Sequence, residues 1–232
     1  MNSIARLYDL KKVRIVGIGS SNTECCYPHT FVPSWLNWLD YGLRKIFGSY
    51  LTTINSGISG QTSAQLIKRL EEDVLFYQPH LIFLTVGGND SNPKNNIQLE
   101  EFHKNMLFII NEFKKINGCE IILQTYYSPI YEKLAADYAA NFKIYMAEIR
   151  SIAKETNTVL FDHLPQWEHL RNELIEDYEK KFMDDQMHLN GLGNQLWAFN
   201  ILNRLAKKEI PKIEKQFQNV IEYQKILESY KA

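Results

Sequence analysis

Five short apolar runs alternate along the chain with longer segments in which apolar residues recur at helical spacing. Runs of this length indicate buried strands, and helices between successive strands require parallel pairing through right-handed crossovers. The predicted strands cover residues 13–18, 50–54, 81–86, 120–124 and 158–161. We therefore predict an α/β fold, arranged as a three-layer α/β/α sandwich with about five parallel strands.

Helices are predicted for the intervening segments, because their apolar residues lie on one face. They cover residues 33–47, 62–76, 99–116, 131–156 and 191–207, with a mixed helical region at 165–181. We predict a main domain over residues 1–208 and a C-terminal amphipathic helix over residues 209–232. The apolar stripe of this helix consists of Ile213, Phe217, Val220 and Leu227. It packs either on the domain or on a partner subunit, and the second alternative would make the protein a homo-oligomer.

The composition excludes several classes of protein. The net charge of −1 gives no basic surplus to attract nucleic acid or anionic lipid. No apolar run approaches the roughly 20 residues that span a bilayer, and the N-terminal residues lack a signal-peptide pattern. Three cysteines do not make a disulfide framework. We expect a cytoplasmic protein in which the adjacent Cys25 and Cys26 pack in the interior or line a pocket.

Small or polar residues follow the predicted strands at one edge of the sheet, or precede a helix there. These residues are Ser20, Ser21, Gly57, Asn89, Asp185 and His188. A serine attacks a carbonyl when a neutral imidazole accepts its proton and a carboxylate orients the imidazole. The resulting oxyanion needs N–H donors. These residue types predict acyl-transfer chemistry, although they leave open which of the two adjacent serines would react.

Four blocks of the sequence resemble those of the SGNH hydrolases, also called the GDSL esterases and lipases. They are GSSNT at residues 19–23, NSGISGQT at 55–62, GGND at 87–90 and DxxH at 185–188. The blocks occur in the family's order, and four together are far more specific than one. The resemblance implies a flavodoxin-like SGNH hydrolase fold and a carboxylic ester hydrolase that needs neither a metal nor an organic cofactor.

The resemblance also implies a role for each matched residue. Ser21 is the nucleophile, His188 is the general base and then the acid, and Asp185 orients His188. The oxyanion hole consists of the backbone N–H of Ser21, the backbone N–H of Gly57 and the side-chain amide of Asn89.

The first block departs from the family at Ser20, which replaces the usual Asp. That Asp is not one of the four residues that name the family, so the reacting groups are complete. A serine at this position can make a local hydrogen bond within the loop. The substitution therefore bears on the stiffness of the loop and on the rate, and leaves the type of reaction unchanged.

Other interpretations of the same residues are weaker. The glycines of the first strand do not complete the G-x-G-x-x-G motif of dinucleotide-binding proteins, because Asn22 occupies the position of the third glycine. Asp184, Asp185 and His188 could be metal ligands, but no further His or Cys cluster accompanies them.

Five other residues have expected places in the fold. Asp90 is expected to be a loop or cap residue. Trp35 and Trp197 are expected in the core, whereas Trp38 and Trp167 are candidates for a surface role. Trp167 in particular could either stack on a sugar ring or simply pack within the fold.

We therefore expect a serine ester hydrolase that removes short acyl groups, acetyl first, from small or carbohydrate esters. Residues 57–62 and the helix after them are similar to those of SGNH carbohydrate acetylesterases, including acetylxylan esterases, so an acetylated oligosaccharide is the expected substrate. The chain has no apolar, lid-like insertion, which argues against long-chain triglycerides. The alternatives are a lysophospholipase or acyl-thioesterase, and a non-catalytic carbohydrate-binding relic of the fold.

Overall fold

The structure is a computed structural model that describes residue 7, residues 9–24 and residues 32–231. Cys25 and Cys26 lie outside the described residues. A single sheet contains all five named strands, β1 (Val13–Gly19), β2 (Leu51–Gly57), β3 (Leu81–Thr85), β4 (Glu120–Gln124) and β5 (Val159–Phe161). Their order is β2-β1-β3-β4-β5, and every pair of neighbours is parallel. The predicted α/β fold is confirmed.

The described residues form nine α-helices. They are α1 (Trp35–Phe47), α2 (Ser63–Ile67), α3 (Leu70–Asp73), α4 (Leu99–Lys114), α5 (Ala136–Glu155), α6 (Leu164–Leu174), α7 (Tyr178–Phe182), α8 (Gly191–Ala206) and α9 (Ile221–Ser229). Short 3₁₀ helices cover Gly48–Tyr50, Leu75–Tyr77, Pro93–Asn95, Tyr131–Lys133, Lys207–Lys212 and Glu214–Val220. The helices lie on both faces of the sheet, which gives the three predicted layers.

Two apolar cores lie on opposite faces of the sheet, because alternate residues of a strand point to opposite sides. Ile15 and Phe83 belong to one core, together with side chains of α1, α6 and α8. Val16 and Leu84 belong to the other, together with side chains of α2, α4 and α5. The strands are therefore buried on both sides, which explains why they appear in the sequence as continuous apolar runs.

The single helix predicted over residues 62–76 is wrong, since the segment is divided into α2, α3 and a 3₁₀ turn. Arg69 and Val74 leave the helical conformation, with φ/ψ of −125°/10° and −135°/−59°. The Arg69 guanidinium donates to the carbonyl oxygens of Gly19 and Ser56 at 3.0 and 2.8 Å. The break therefore allows Arg69 to fasten the carboxyl ends of β1 and β2.

The C-terminal segment also differs from the single amphipathic helix expected over residues 209–232. Pro211 lies within one 3₁₀ stretch, and Phe217 adopts a non-helical φ/ψ of −116°/18° in the next. Proline lacks the N–H that a continuous helix requires. All four residues of the predicted stripe are nevertheless buried in the same core as α8. The division into residues 1–208 and 209–232 and the association with a second subunit stay predictions.

The tryptophans occupy the interior more fully than expected. Trp35 and Trp197 are buried as predicted, but Trp167 is also 0 % exposed, so its proposed stacking on a sugar is wrong. Its indole packs instead against the rings of Tyr127 and Phe182. Among the described residues, no helix has the length and apolar content needed to cross a membrane.

Candidate active site

A cavity of about 270 Å³ opens at the carboxyl edge of the sheet, where the segments after four strands meet the loop before α8. This is the edge at which open α/β sheets bind their ligands. The loop after β1, the loop after β3 and the loop before α8 contribute Ser20, Ser21, Asn22, Gly88, Asn89, Asn92, Asp185, Gln186, Met187 and His188. Most of these side chains are polar, and the aromatic part of the wall comes from Tyr126 and Tyr138.

The loop after β1 presents Ser21 in a tight turn. The N–H groups of Thr23 and Glu24 both donate to the carbonyl of Ser20, at 2.9 and 3.1 Å. Gly19 must be a glycine here, because an added Cβ would lie 2.4 Å from the carbonyl oxygen of Thr85. The close passage of β1 beside β3 thus fixes the point at which the chain turns, and Ser21 is 8 % exposed at that point.

The side chains of Ser21, His188 and Asp185 form a continuous hydrogen-bonded chain. Ser21 Oγ lies 2.9 Å from His188 Nε2, and His188 Nδ1 lies 2.7 Å from Asp185 Oδ2. An ionised carboxylate only accepts, so Nδ1 carries the proton and Nε2 of the neutral ring is free to accept from the serine. The structure therefore brings these three predicted residues together in the order that nucleophile activation requires.

Asp185 is held independently of the histidine side chain. Its Oδ1 accepts hydrogen bonds from the backbone N–H groups of Met187 and His188, at 2.6 and 2.8 Å. Burial raises the pKa of Asp185, but the hydrogen bonds from His188 and from Met187 outweigh it, so the net pKa lies below its ordinary value. The carboxylate stays charged and its two oxygens have fixed directions.

Helix α8 begins directly after this loop and anchors it. Asn190 is the N-cap residue, and its Oδ1 accepts from the N–H of Gly193 at 3.0 Å. A Cβ at Gly193 would lie 2.5 Å from the carbonyl oxygen of Phe182, so only glycine allows the helix start to pack so closely on α7. The sequence around residues 190–193 thus sets the position of His188.

Asn89 reaches the cavity from a sharp turn after β3. Gly87 has a φ of +113°, which favours glycine, and its carbonyl accepts from the N–H of Ser91 at 3.0 Å. Asn89 Nδ2 donates one proton to the carbonyl of Gln61 at 2.9 Å. The amide nitrogen carries two protons, so this bond orients the group and leaves the second proton for a ligand in the cavity.

Gly57, which the sequence assigns to the oxyanion hole, is not among the residues that line the cavity. Strand β2 continues in register as far as Gly57, opposite Gly19, and the Gly57 N–H already donates to Asn55 Oδ1 at 3.0 Å. Among the described residues, the cavity wall from this loop consists of Ser59 and Gly60. Gly60 has a φ of +77°, and an added Cβ there would meet no atom within 4 Å. The turn after β2 thus carries the chain beyond Gly57 before it reaches the site.

Asp90 is buried and holds the loop after β3 to helix α2. It is 1 % exposed, and its Oδ1 accepts from both the N–H and the Oγ of Ser63, at 2.8 and 2.5 Å. Burial raises the pKa of Asp90, although the bonds from Ser63 act in the opposite direction. These contacts agree with the cap role expected for Asp90.

Ser20 forms a long-range contact in place of the local bond that the sequence suggested. Its Oγ lies 3.3 Å from the hydroxyl of Tyr126, which follows β4. Tyr126 lies at this edge of the sheet because it follows a strand. Sequence reasoning missed Tyr138, in the first turn of α5, whose hydroxyl donates to the carbonyl of Gly88 at 3.0 Å. Nothing in the sequence pattern distinguishes Tyr138 from other helical tyrosines.

The structure gives no support to a metal site formed by Asp184, Asp185 and His188. The Asp184 side chain is exposed, whereas Asp185 and His188 bond to each other. Within the part of the chain that the structure describes, no three His, Cys, Asp or Glu residues are arranged to hold a metal ion.

A comparison with known protein families relates this chain to a family of acylhydrolases. Residues 18–196 match the model of the GDSL-like lipase/acylhydrolase family. The match covers more than half of the chain, and the chain therefore belongs to this family, which confirms the resemblance seen in the sequence.

Individual relatives are more distant. The chain is 29 % identical over 116 residues to the Bacillus subtilis protein named uncharacterized lipoprotein YqeF, an alignment that covers 48 % of this chain and 47 % of that protein. The chain thus spans about half the length of this relative. It is 23 % identical over 165 residues to an acetylxylan esterase of Geobacillus stearothermophilus, covering 67 % of this chain and 73 % of the esterase.

The crystal structure of Axe2, an acetylxylan esterase from Geobacillus stearothermophilus, superimposes with a TM-score of 0.69 at 22 % identity. The superposition covers 85 % of this chain and 97 % of Axe2. At this identity the likeness establishes only the shared fold. The cytoplasmic location of the protein stays a prediction.

Proposed function

We propose that the protein is a serine ester hydrolase in which Ser21 attacks the ester carbonyl. The observation that carries this proposal is the chain from Ser21 Oγ through His188 to Asp185. His188 Nε2 accepts the serine proton as the tetrahedral intermediate forms, and then gives it to the leaving alcohol. An acyl-enzyme on Ser21 remains, and water activated by the same histidine hydrolyses it.

Three donors are available for the oxyanion of the tetrahedral intermediate. They are the N–H of Ser21, the N–H of Gly60 and the second amide proton of Asn89. Within the described ranges, the N–H groups of Ser21 and Gly60 have no hydrogen-bond acceptor, and both residues line the cavity. Fixed donors of this kind stabilise the charge that develops on the carbonyl oxygen.

The cavity favours a short acyl group on a polar alcohol. Its volume of about 270 Å³ is small, and polar side chains from Asn22, Ser59, Asn92 and Gln186 form much of its wall. A long alkyl chain gains about 0.8 kcal/mol per buried methylene group in an apolar channel, whereas this wall mixes polar side chains with its apolar surface. A sugar hydroxyl finds donors and acceptors there, so we propose acetylated sugars and their oligomers as substrates. The acetylxylan esterase among the relatives supports this choice.

Labelling with a fluorophosphonate probe tests the reaction class. The probe should add to the wild-type chain at Ser21, as located by mass spectrometry of peptides, and should not add to Ser21→Ala. Ser20→Ala is the matched control, because it removes the adjacent hydroxyl and should still be labelled. An unlabelled wild-type protein that hydrolyses no acetyl ester would overturn the proposal and favour a binding protein.

A comparison of substrates then tests the acyl and alcohol groups. Acetylated xylo-oligosaccharides should be hydrolysed with a higher kcat/KM than lysophospholipids or acyl thioesters. A higher kcat/KM for a lysophospholipid would contradict the proposed substrate and leave the reaction class intact.

A further inference from the structure

One buried hydroxyl connects the loop of the proposed nucleophile to the loop of the proposed base. Tyr127 follows β4 and is 1 % exposed. Its Oη is within hydrogen-bond distance of the Asn22 side chain and of the Met187 carbonyl oxygen. Asn22 directly follows Ser21, and Met187 directly precedes His188. A single phenol thus joins both loops, one residue away from each reacting side chain.

The hydrogen bonds of this phenol have a defined direction. A tyrosine hydroxyl has one proton to donate and can accept one, and the carbonyl of Met187 can only accept. Asn22 presents its Oδ1 to the hydroxyl, so both neighbours are acceptors and Tyr127 shares its single proton between Asn22 Oδ1 and the Met187 carbonyl oxygen. Burial raises the pKa of Tyr127 well above its ordinary value, so this proton is present at all working pH values.

The ring that carries the hydroxyl is held on several sides. It packs edge-on against Trp197 at 5.2 Å between centroids, and against Trp167 at 5.7 Å. The same segment holds the His188 loop a second time, since the N–H of Ile130 donates to the carbonyl of Gln186 at 2.9 Å. The hydroxyl is thus fixed to the core, and the two loops are fixed to the hydroxyl.

We infer that Tyr127 is a positioning residue that sets the distance and angle between Ser21 and His188. This inference rests on the proposed function, because it concerns the alignment of that nucleophile with that base. Tyr127 does not touch the reacting atoms and acts through Asn22 and Met187. A displacement of about 1 Å between reacting groups lowers a rate by as much as about 100-fold, so the loss of this link should act on the chemical step.

The test compares three variants under conditions in which all are folded. Tyr127→Phe removes the hydroxyl and keeps the ring. Asn22→Ala removes the half-buried side chain at the other end of the hydrogen bond between Tyr127 and Asn22. Tyr145→Phe is the matched control, since its buried hydroxyl also donates to a backbone carbonyl, that of Ile97, outside the cavity. The measurements are the melting temperature, kcat and KM for p-nitrophenyl acetate, and the rate of fluorophosphonate labelling of Ser21.

Tyr127→Phe should lower kcat by about 10-fold to 100-fold with little change in KM, and should slow the labelling of Ser21 in parallel. Asn22→Ala should do the same, and the double variant should lose little more than either single one. Tyr145→Phe should lower the melting temperature to a similar extent and leave kcat unchanged.

Equal kcat values for Tyr127→Phe and Tyr145→Phe would overturn the inference, as would a loss of kcat with an unchanged labelling rate. Full activity of Ser21→Ala would instead show that the proposed function is wrong.

Discussion

Ser21 Oγ and His188 Nε2 lie 2.9 Å apart although 167 positions separate them in the sequence. Ser21 follows strand β1, and His188 precedes α8, which packs along α1. The parallel sheet brings the two loops to one edge, and Gly19 and Gly193 allow the close packing that aligns them. The geometry of the site therefore depends on backbone packing as much as on the reacting groups.

Replacement of Asp185 by Asn should lower kcat for p-nitrophenyl acetate by about 10³-fold to 10⁴-fold at neutral pH. An asparagine oxygen can still accept from the N–H groups of Met187 and His188. Its amide nitrogen would then face His188 Nδ1 and favour the tautomer with the proton on Nε2, which cannot accept from Ser21. Asp184→Asn is the control, because Asp184 is the exposed neighbour. A loss below tenfold in Asp185→Asn would contradict the proposed role.

Replacement of Asn89 by Ala should lower kcat by about 10²-fold to 10³-fold, because it removes one oxyanion donor. KM should change much less, since the charge that Asn89 stabilises exists mainly in the transition state. Asn203→Ala in α8 is a suitable control, because that amide is remote from the cavity and donates to the carbonyl of Phe199. Equal kcat values in the two variants would show that Asn89 is not a donor.

The strands and the residues at their ends could be predicted from the sequence because both faces of the sheet are buried. Continuous apolar runs then mark the strands, and the residues that follow them mark the site. Gly57 and Gly60 show where this reasoning is incomplete. The end of β2 is visible in the sequence, but the path of the turn after it is not, and Gly60 reaches the cavity in its place.

Contacts between loops that are distant in the sequence could not be predicted either, because they depend on tertiary packing. Ser20 was expected to bond within its own loop, whereas its neighbour is Tyr126, 106 positions away. Trp167 stands in a segment of mixed pattern, and only the packing of α6 and α7 shows that it is buried. Tertiary packing decides both cases, and a single sequence does not record it.

The buried carboxyl of Asp90 should make stability depend on pH in a characteristic direction. Its pKa in the folded protein is raised above the ordinary value of 3.8. Ionisation is therefore less favourable in the folded state, and the wild type should lose stability relative to Asp90→Asn as the pH rises from about 3.8 through the raised value. Asparagine keeps an oxygen that accepts from Ser63 and cannot ionise. Chemical unfolding of both proteins at a series of pH values measures the difference.

Asp185→Asn provides the opposite trend in the same experiment. The folded pKa of Asp185 is lowered, so its contribution to stability is present above 3.8 and is lost as the pH falls through the lowered value. The wild type should then gain stability relative to Asp185→Asn as the pH rises. Curves of the same sign for both variants would contradict the directions assigned to the two carboxyls.

Replacement of Phe217 by Ala should destabilise the fold by about 3–5 kcal/mol, because the ring is 0 % exposed in the core. It stacks on Phe199 at 4.9 Å between centroids and packs against Trp38 at 5.9 Å. Phe76→Ala is the control, since that ring is 75 % exposed and its loss should change stability by less than about 0.5 kcal/mol.

The dependence of the Phe217→Ala effect on protein concentration decides how the C-terminal segment is held. Packing of this segment on its own domain gives a loss in the free energy of unfolding that is the same at every protein concentration. Packing on a second subunit couples folding to association, so that the melting temperature rises with concentration and the variant changes that slope. Because α8 already buries Phe217 within the chain, we expect the loss to be independent of concentration, and a concentration-dependent loss would show that the segment belongs to a subunit interface.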